Sequence, residues 1–215
     1  MNKKIPIFII TTLFIFGLLM GLYINTDKQM THISEKLIRL HVVANSDSPQ
    51  DQVLKLKVRD EVIKNLSPKL EALKDIGEVR QVIKENLPYV EEVAQDIVDT
   101  QGMVYKVDAV LENHDFPTKM YGNLTLPAGT YQALNINIGK AEGKNWWCVM
   151  FPPLCFTDIA HGVAPEKTME QLKQTLSEEE YKLVLAAKSE GEVPVKIKFK
   201  MLEWAKSLKQ KIAKK

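Results

Sequence analysis

Hydrophobic positions fall in one charge-free run near the start of this 215-residue chain and in periodic patterns after it. From Ile5 to Ile24 there is no charged residue; Thr11, Thr12, Gly17 and Gly21 are the breaks. About 20 apolar residues at helical rise cross a bilayer core. A helix buried in a soluble core would keep a polar stripe, and this run has none. Lys3 and Lys4 stand before it, which predicts an N-terminus held inside and a remainder exported. Two readings fit: a cleaved signal peptide or an uncleaved anchor. The run is longer than a usual signal-peptide core and leaves through Gly21-Leu22-Tyr23-Ile24 with no small-x-small cleavage motif.

Beyond a polar stalk over residues 25–36, Leu37 to Ala44 is β-branched and predicts a strand. It stops at Asn45-Ser46-Asp47-Ser48-Pro49. Ser48 suits a helix N-cap, Pro49 the first helical position, and Asp51 the positive end of the helix dipole. Leu54, Val58, Val62 and Leu66 repeat every four residues, predicting an amphipathic helix that ends at Ser67-Pro68. A second helix is expected from Asp75 to Asp99, kinked or split at Pro88. Met103 to Leu111, Thr130 to Ile138 and Trp146 to Phe151 read as three strands, taken together as an antiparallel block. Asn135 and Asn137 alternate with Ile136 and Ile138, so one face of the middle strand is wet.

Helical pattern returns from Pro165 to Leu176. Ser177-Glu178-Glu179-Glu180 is a capping box opening a helix to Ser189. Val193 to Phe199 predicts a last strand, and Met201 to Ile212 a last helix. The sum is an α+β fold: residues 37–215 form a single domain, a small antiparallel sheet packed by several helices, behind the N-terminal segment 1–24 and the stalk 25–36.

Charge is uneven. Net charge is +2, but Lys196 to Lys215 holds eight lysines against Glu203 alone. With Lys3 and Lys4 set aside as well, the intervening stretch carries about −7. A basic tail can grip anionic lipid; a solvated helix face is the simpler reading. Export argues against a nucleic-acid partner.

Catalytic patterns are lacking. His32, His41, His114 and His161 are scattered, with no helical metal-binding pair. His114-Asp115 reads as a polar loop pair, short of the three or four ligands that zinc needs. There is no nucleophile elbow, phosphate loop or dinucleotide fingerprint. No metal or cofactor is expected, no small-molecule substrate, and no enzymatic activity. Cys148 and Cys155, the two cysteines, flank a Pro-Pro corner. An exported domain permits a disulfide between them; two reduced, buried thiols are the alternative. Trp146 and Trp147 are neighbours on a strand and so face opposite ways. One fills the core, and the other is either an interface anchor or covered by a helix.

Three blocks resemble the stage II sporulation protein R family of endospore-forming bacteria. They are Leu40 to Gln52, Leu54 to Asp60, and Asn145 to Phe156, with Pro127-Ala128-Gly129-x-Tyr131 ahead of the third. The resemblance implies a signal made in the forespore and exported into the space between forespore and mother cell, either anchored or released. It implies a partner there, a membrane-embedded aspartic protease that matures the sigma-E precursor. Arg39, His41, Asn45, Ser46, Asp47, Trp146, Trp147, Phe151, Pro152 and Pro153 are then the candidate partner-facing residues. Each also has a structural reading, as a capped turn or a packed strand and corner. Two other functions compete. An exported cell-wall binder or hydrolase would need a cleft with a perturbed carboxylate, such as Asp47 or Asp158. A membrane scaffold would use the lysine tail.

Overall fold

A computed structural model describes residues 13–21, 30–153 and 166–186. In chain order the elements are β1 (Ile38–Val43), α1 (Pro49–Leu70), α2 (Ile76–Glu85), α3 (Leu87–Thr100) and β2 (Val107–Phe116), then β3 (Lys119–Tyr121), β4 (Leu124–Leu126), β5 (Gly129–Ile138), β6 (Asn145–Phe151), α4 (Glu166–Thr175) and α5 (Glu178–Ala186). Helices and sheet share one α+β architecture.

The sheet is mixed rather than antiparallel. Its strand order is β2-β5-β1-β6. The central pair, β1 and β5, runs parallel with His41 opposite Asn135. Both outer pairs are antiparallel, placing His41 opposite Trp147 on β6 and Val110 opposite Asn135 on β2. The expected three-strand antiparallel block does not form, because β1 inserts between β5 and β6. Every residue of β1 is buried, since both sheet faces are covered there.

One face packs on α1, α2 and α3. Leu40, Val42, Leu134, Ile136, Ile138 and Met150 meet Leu54, Val58, Val62, Leu66, Val79, Ile83, Val90, Ala94 and Val98 in a single core. The first helix starts as expected, with Ser48 Oγ accepting from the Asp51 amide at 3.2 Å. It runs through Ser67-Pro68 instead of ending there. Pro68 removes one helical donor, but Ser67 Oγ donates to the Ile63 carbonyl and the Glu71 amide closes on Ser67 O at 2.9 Å. The extra turn buries Leu70 in the core, worth about 1.5–3 kcal/mol, which offsets most of the proline cost of about 3 kcal/mol. The second predicted helix splits at Asn86, and Pro88 sits in the first turn of α3.

The opposite face is covered at one end only. There the β3–β4 hairpin, α4 and α5 close over Phe116, Tyr131, Ala133 and Val149. This hairpin is absent from the sequence reading, and β2 extends to Phe116, so His114 and Asp115 lie in a strand, not a loop. Residues 30–35 are helical, and Met30 and Ile33 are buried. The polar stalk therefore stops short of them. Glu180 fastens this helical turn to α5. Its carboxylate accepts from the Ser177 amide at 2.7 Å, as the capping box requires, and also meets Lys36 Nζ at 2.6 Å and His32 Nδ1 at 3.3 Å.

Residues 13–21 are helical, with Leu13, Phe14, Ile15, Phe16, Leu18 and Leu19 exposed. Among the described residues no helix is long and apolar enough to cross a membrane. Ile5 and Ile24, the ends of the expected membrane segment, lie outside the described residues. So do Cys155, Asp158, His161, and the strand and helix expected over Val193 to Phe199 and Met201 to Ile212.

Candidate functional site

β1 brings Arg39 and His41 to the less covered sheet face, where two clusters form around them. Arg39 has no exposed surface at all. Its Nε donates to the Cys148 carbonyl at 2.9 Å, and Nη2 donates to the Tyr121 hydroxyl at 2.6 Å. The guanidinium lies 4.3 Å from the Phe116 ring centroid, 4.9 Å from Tyr131 and 5.6 Å from Tyr121. Nη1 is buried without a hydrogen-bond partner. No carboxylate neutralises this cation among the described ion pairs. Three aromatic faces take that role, a favourable arrangement for a weakly hydrated, delocalised charge. Burial raises the pKa of both phenols, Tyr131 to about 12. Arg39 thus pins the β3–β4 hairpin to the sheet and offers a partner no surface.

His41 is 4 % exposed. Its imidazole lies flat on the Trp147 indole, centroids 4.0 Å apart and planes 3° from parallel, with His114 4.4 Å away on the β2 side. Nδ1 is 3.0 Å from Asn135 Oδ1, and Nε2 is 2.7 Å from Asn145 Oδ1. The polarity of this chain starts at Glu112. Its carboxylate can only accept, so Asn135 Nδ2 donates to it at 2.8 Å. Asn135 then turns Oδ1 to His41, and Nδ1 carries the proton. A protonated ring also donates through Nε2 to Asn145 Oδ1; a neutral ring requires the Asn145 amide to turn over and offer Nδ2. Burial pushes the His41 imidazole below its ordinary value, and His114 adds to that. Asn145, Asn135 and Glu112 pull the other way without cancelling it.

Asn45, Ser46 and Asp47 join the β1–α1 turn to the 139–144 loop. Asn45 Oδ1 accepts from the Lys140 amide at 3.0 Å, and Asp47 Oδ1 from the Lys144 amide at 2.7 Å. Asp51 anchors the turn from inside: Asn45 Nδ2 donates to its carboxylate at 2.9 Å and Ser46 Oγ at 2.5 Å. Burial pushes the Asp51 carboxyl up, but hydrogen bonds from Ser46, Asn45, Tyr105 and Ser48 outweigh it and hold it below the usual aspartate value. Gly143 approaches so closely that a Cβ there would run into the Ser46 carbonyl.

Trp146 and Trp147 do face opposite sides. Trp146 packs toward the helices, capped by the Arg59 guanidinium 4.0 Å from its ring. Trp147 packs against His41, His114 and Phe116. Phe151, Pro152 and Pro153 line a cleft of about 440 Å³ with Lys36, Lys74 and Gln174; the Phe151-Pro152 bond is cis. Cys148 is held in a disulfide. No group of three or more His, Cys, Asp or Glu among the described residues could hold a metal ion.

Six of the candidate residues fall in three clusters: an internal cation cage, a polar chain under a stacked tryptophan that shares Phe116 with the cage, and a knotted turn. Trp146 lies on the helical side, and Phe151, Pro152 and Pro153 line the cleft. Sequence reading missed Tyr121 and Tyr131 around Arg39, and Glu112 and Asn135 beside His41. The alternation of Asn135 with its apolar neighbours was the one available signal for the polar chain.

A family model described as stage II sporulation protein R matches residues 34–161. These residues take in β1 through β6, and so all three clusters. The chain belongs to the stage II sporulation protein R family. A stage II sporulation protein R of Bacillus subtilis (strain 168) is 36% identical, with 97% of this chain and 99% of that protein aligned. No solved structure is significantly similar. The similarity extends beyond the described sheet to the ends of the chain, because the alignment with the Bacillus subtilis protein reaches nearly the whole length of both.

Proposed function

We propose that this chain is an exported sporulation signal that switches on a membrane-embedded aspartic protease, which then processes the sigma-E precursor. Family membership carries the reading: the match covers the entire described sheet and the helices α1 to α3. The six exposed apolar side chains between Leu13 and Leu19 support attachment to, or passage across, the forespore membrane. Activity then resides in recognition. The residues best placed to act as acid or base, His41 and Asp51, are both buried and fully engaged by neighbours. The domain works as a rigid body in the space between the two membranes, without a cofactor.

Co-expression tests this directly. The protease, the sigma-E precursor and the exported chain are produced together in a non-sporulating host. Cleavage of the precursor is expected when the chain is present and exported, and not when it is omitted or kept inside. Equal cleavage without the chain would overturn the proposal. Turnover of peptidoglycan by the purified protein would favour a cell-wall enzyme instead.

A further inference from the structure

β2 is an edge strand, and its free edge is treated differently along its length. At the first end, α3 plugs it with side chains. The Val107 amide donates to Gln95 Oε1 at 3.0 Å and the Ala109 amide to Glu91 Oε1 at 3.0 Å. These two bonds fix the parity of the strand. Amides of odd-numbered residues point away from β5, while Asp108, Val110, Glu112 and His114 turn theirs inward to the ladder. Leu111 and Asn113 therefore present both N–H and C=O outward. Among the described residues nothing bonds those groups, and Asn113 is exposed. The plugging stops where the open stretch begins.

An open edge of this kind is a template for another strand. Charge selects which strand. Between Val107 and Phe116 the ionised side chains are Asp108, Glu112 and Asp115, all exposed, with no Lys or Arg. Alongside, α3 adds Glu91, Glu92, Asp96 and Asp99, again with no base. A second β2 laid against this edge would set carboxylates near carboxylates, which disfavours pairing of identical copies. A strand bearing lysines or arginines would find complementary charge on both flanks.

We propose that the open end of β2, around Leu111 and Asn113, receives an extended basic segment of a partner polypeptide as a fifth strand of the sheet. Backbone hydrogen bonds supply the attachment and the flanking carboxylates supply the selection. The assignment does not depend on which protein contributes the segment.

Amide hydrogen exchange of the full-length chain in detergent micelles tests it, with a synthetic seven-residue peptide alternating lysine and valine as probe. A peptide alternating glutamate and valine is the control. The lysine peptide is expected to slow exchange at Leu111 and Asn113 at least tenfold, less so as salt rises, while the glutamate peptide leaves them unchanged. Asn113→Pro removes an outward N–H that the free protein does not use, and is expected to abolish the effect at Leu111. The ladder amides of Glu112 and His114 stay protected if that variant keeps its fold. Should they lose protection, Asp108→Lys decides instead, with at least threefold weaker binding of the lysine peptide expected. No slowing, equal slowing by the two peptides, protection on β6 in place of β2, or undiminished binding to a folded Asn113→Pro variant would overturn the proposal.

Discussion

Arg39 donates to the Tyr121 hydroxyl over 2.6 Å, with the guanidinium wholly buried among three aromatic rings. The bond ties the hairpin to the middle of the sheet. Arg39→Ala leaves a cavity and removes the Arg39 donor from the Cys148 carbonyl and from the Tyr121 hydroxyl, which keeps its own bond to Trp147 O at 3.2 Å. The expected cost is about 3–5 kcal/mol. Arg39→Met keeps most of the volume and removes a charge that has no carboxylate, so a loss of only about 1–2 kcal/mol is expected. Urea unfolding of both variants, in a cycle with Tyr121→Phe, measures the coupling. Equal losses for Met and Ala would show that the charge, not the packing, dominates.

His41 makes the fold acid-sensitive. Its native pKa lies below the ordinary value of 6.5, so the folded state binds fewer protons than the unfolded one just under that pH. The contribution is complete above about pH 6.5 and fades as pH falls through the lowered native value. Unfolding free energy is expected to drop between pH 7 and pH 5. His41→Gln should flatten that slope; an unchanged slope would assign it to other groups.

Asp51 acts at lower pH. It lies below its reference of 3.8 in the native state, so its stabilisation is present above about pH 3.8 and lost as pH falls through the native value. Asp51→Asn keeps the shape but weakens the hydrogen bonds from Asn45 and Ser46. A loss of about 1–3 kcal/mol at pH 7 is expected by urea titration, shrinking as pH falls below 3.8 and Asp51 itself takes up a proton.

Gly143→Ala tests the knotted turn without touching charge. Its Cβ collides with backbone at Ser46, which cannot swing aside as a side chain would. The expected loss is about 1–3 kcal/mol. A melting temperature equal to that of the unaltered protein would show that the 139–144 loop moves freely against β1.

Glu180→Gln should loosen the helical turn at residues 30–35 from α5. Lys36 is 29 % exposed, so water screens the pair and the global cost is about 1 kcal/mol or less. Limited proteolysis is the sharper measurement, with earlier cleavage near Lys36 expected.

Local chemistry was legible from sequence; long-range pairing was not. Ser48 and Pro49 open α1, Ser177 and Glu180 cap α5, and the helix divides near Pro88, because each depends on side chains within four residues of the backbone they serve. Strand direction leaves no such mark. β1 and β5 are separated by three helices and three strands, and nothing in Leu37 to Ala44 states that its neighbour is parallel. The β3–β4 hairpin escaped because three-residue strands are too short to show alternation. Pro68 misled for a different reason: the burial of Leu70 and the Ser67 hydrogen bonds offset the cost that the local rule counts. At the site, Arg39 and His41 were expected to face a partner, and folding buries both. Their partners Tyr121, Asn135 and Glu112 come from distant segments that only folding brings together.

The paired tryptophans give the protein two optical probes on opposite sides of one sheet. Trp146 sits under the Arg59 guanidinium and Trp147 against the His41 imidazole. A protonated imidazole in face-to-face contact quenches indole emission, whereas events on the helical side act on the other ring. Fluorescence of single-tryptophan variants can therefore follow the two layers independently, so that a partner docking on one side and a proton arriving on the other would be told apart in the same cuvette.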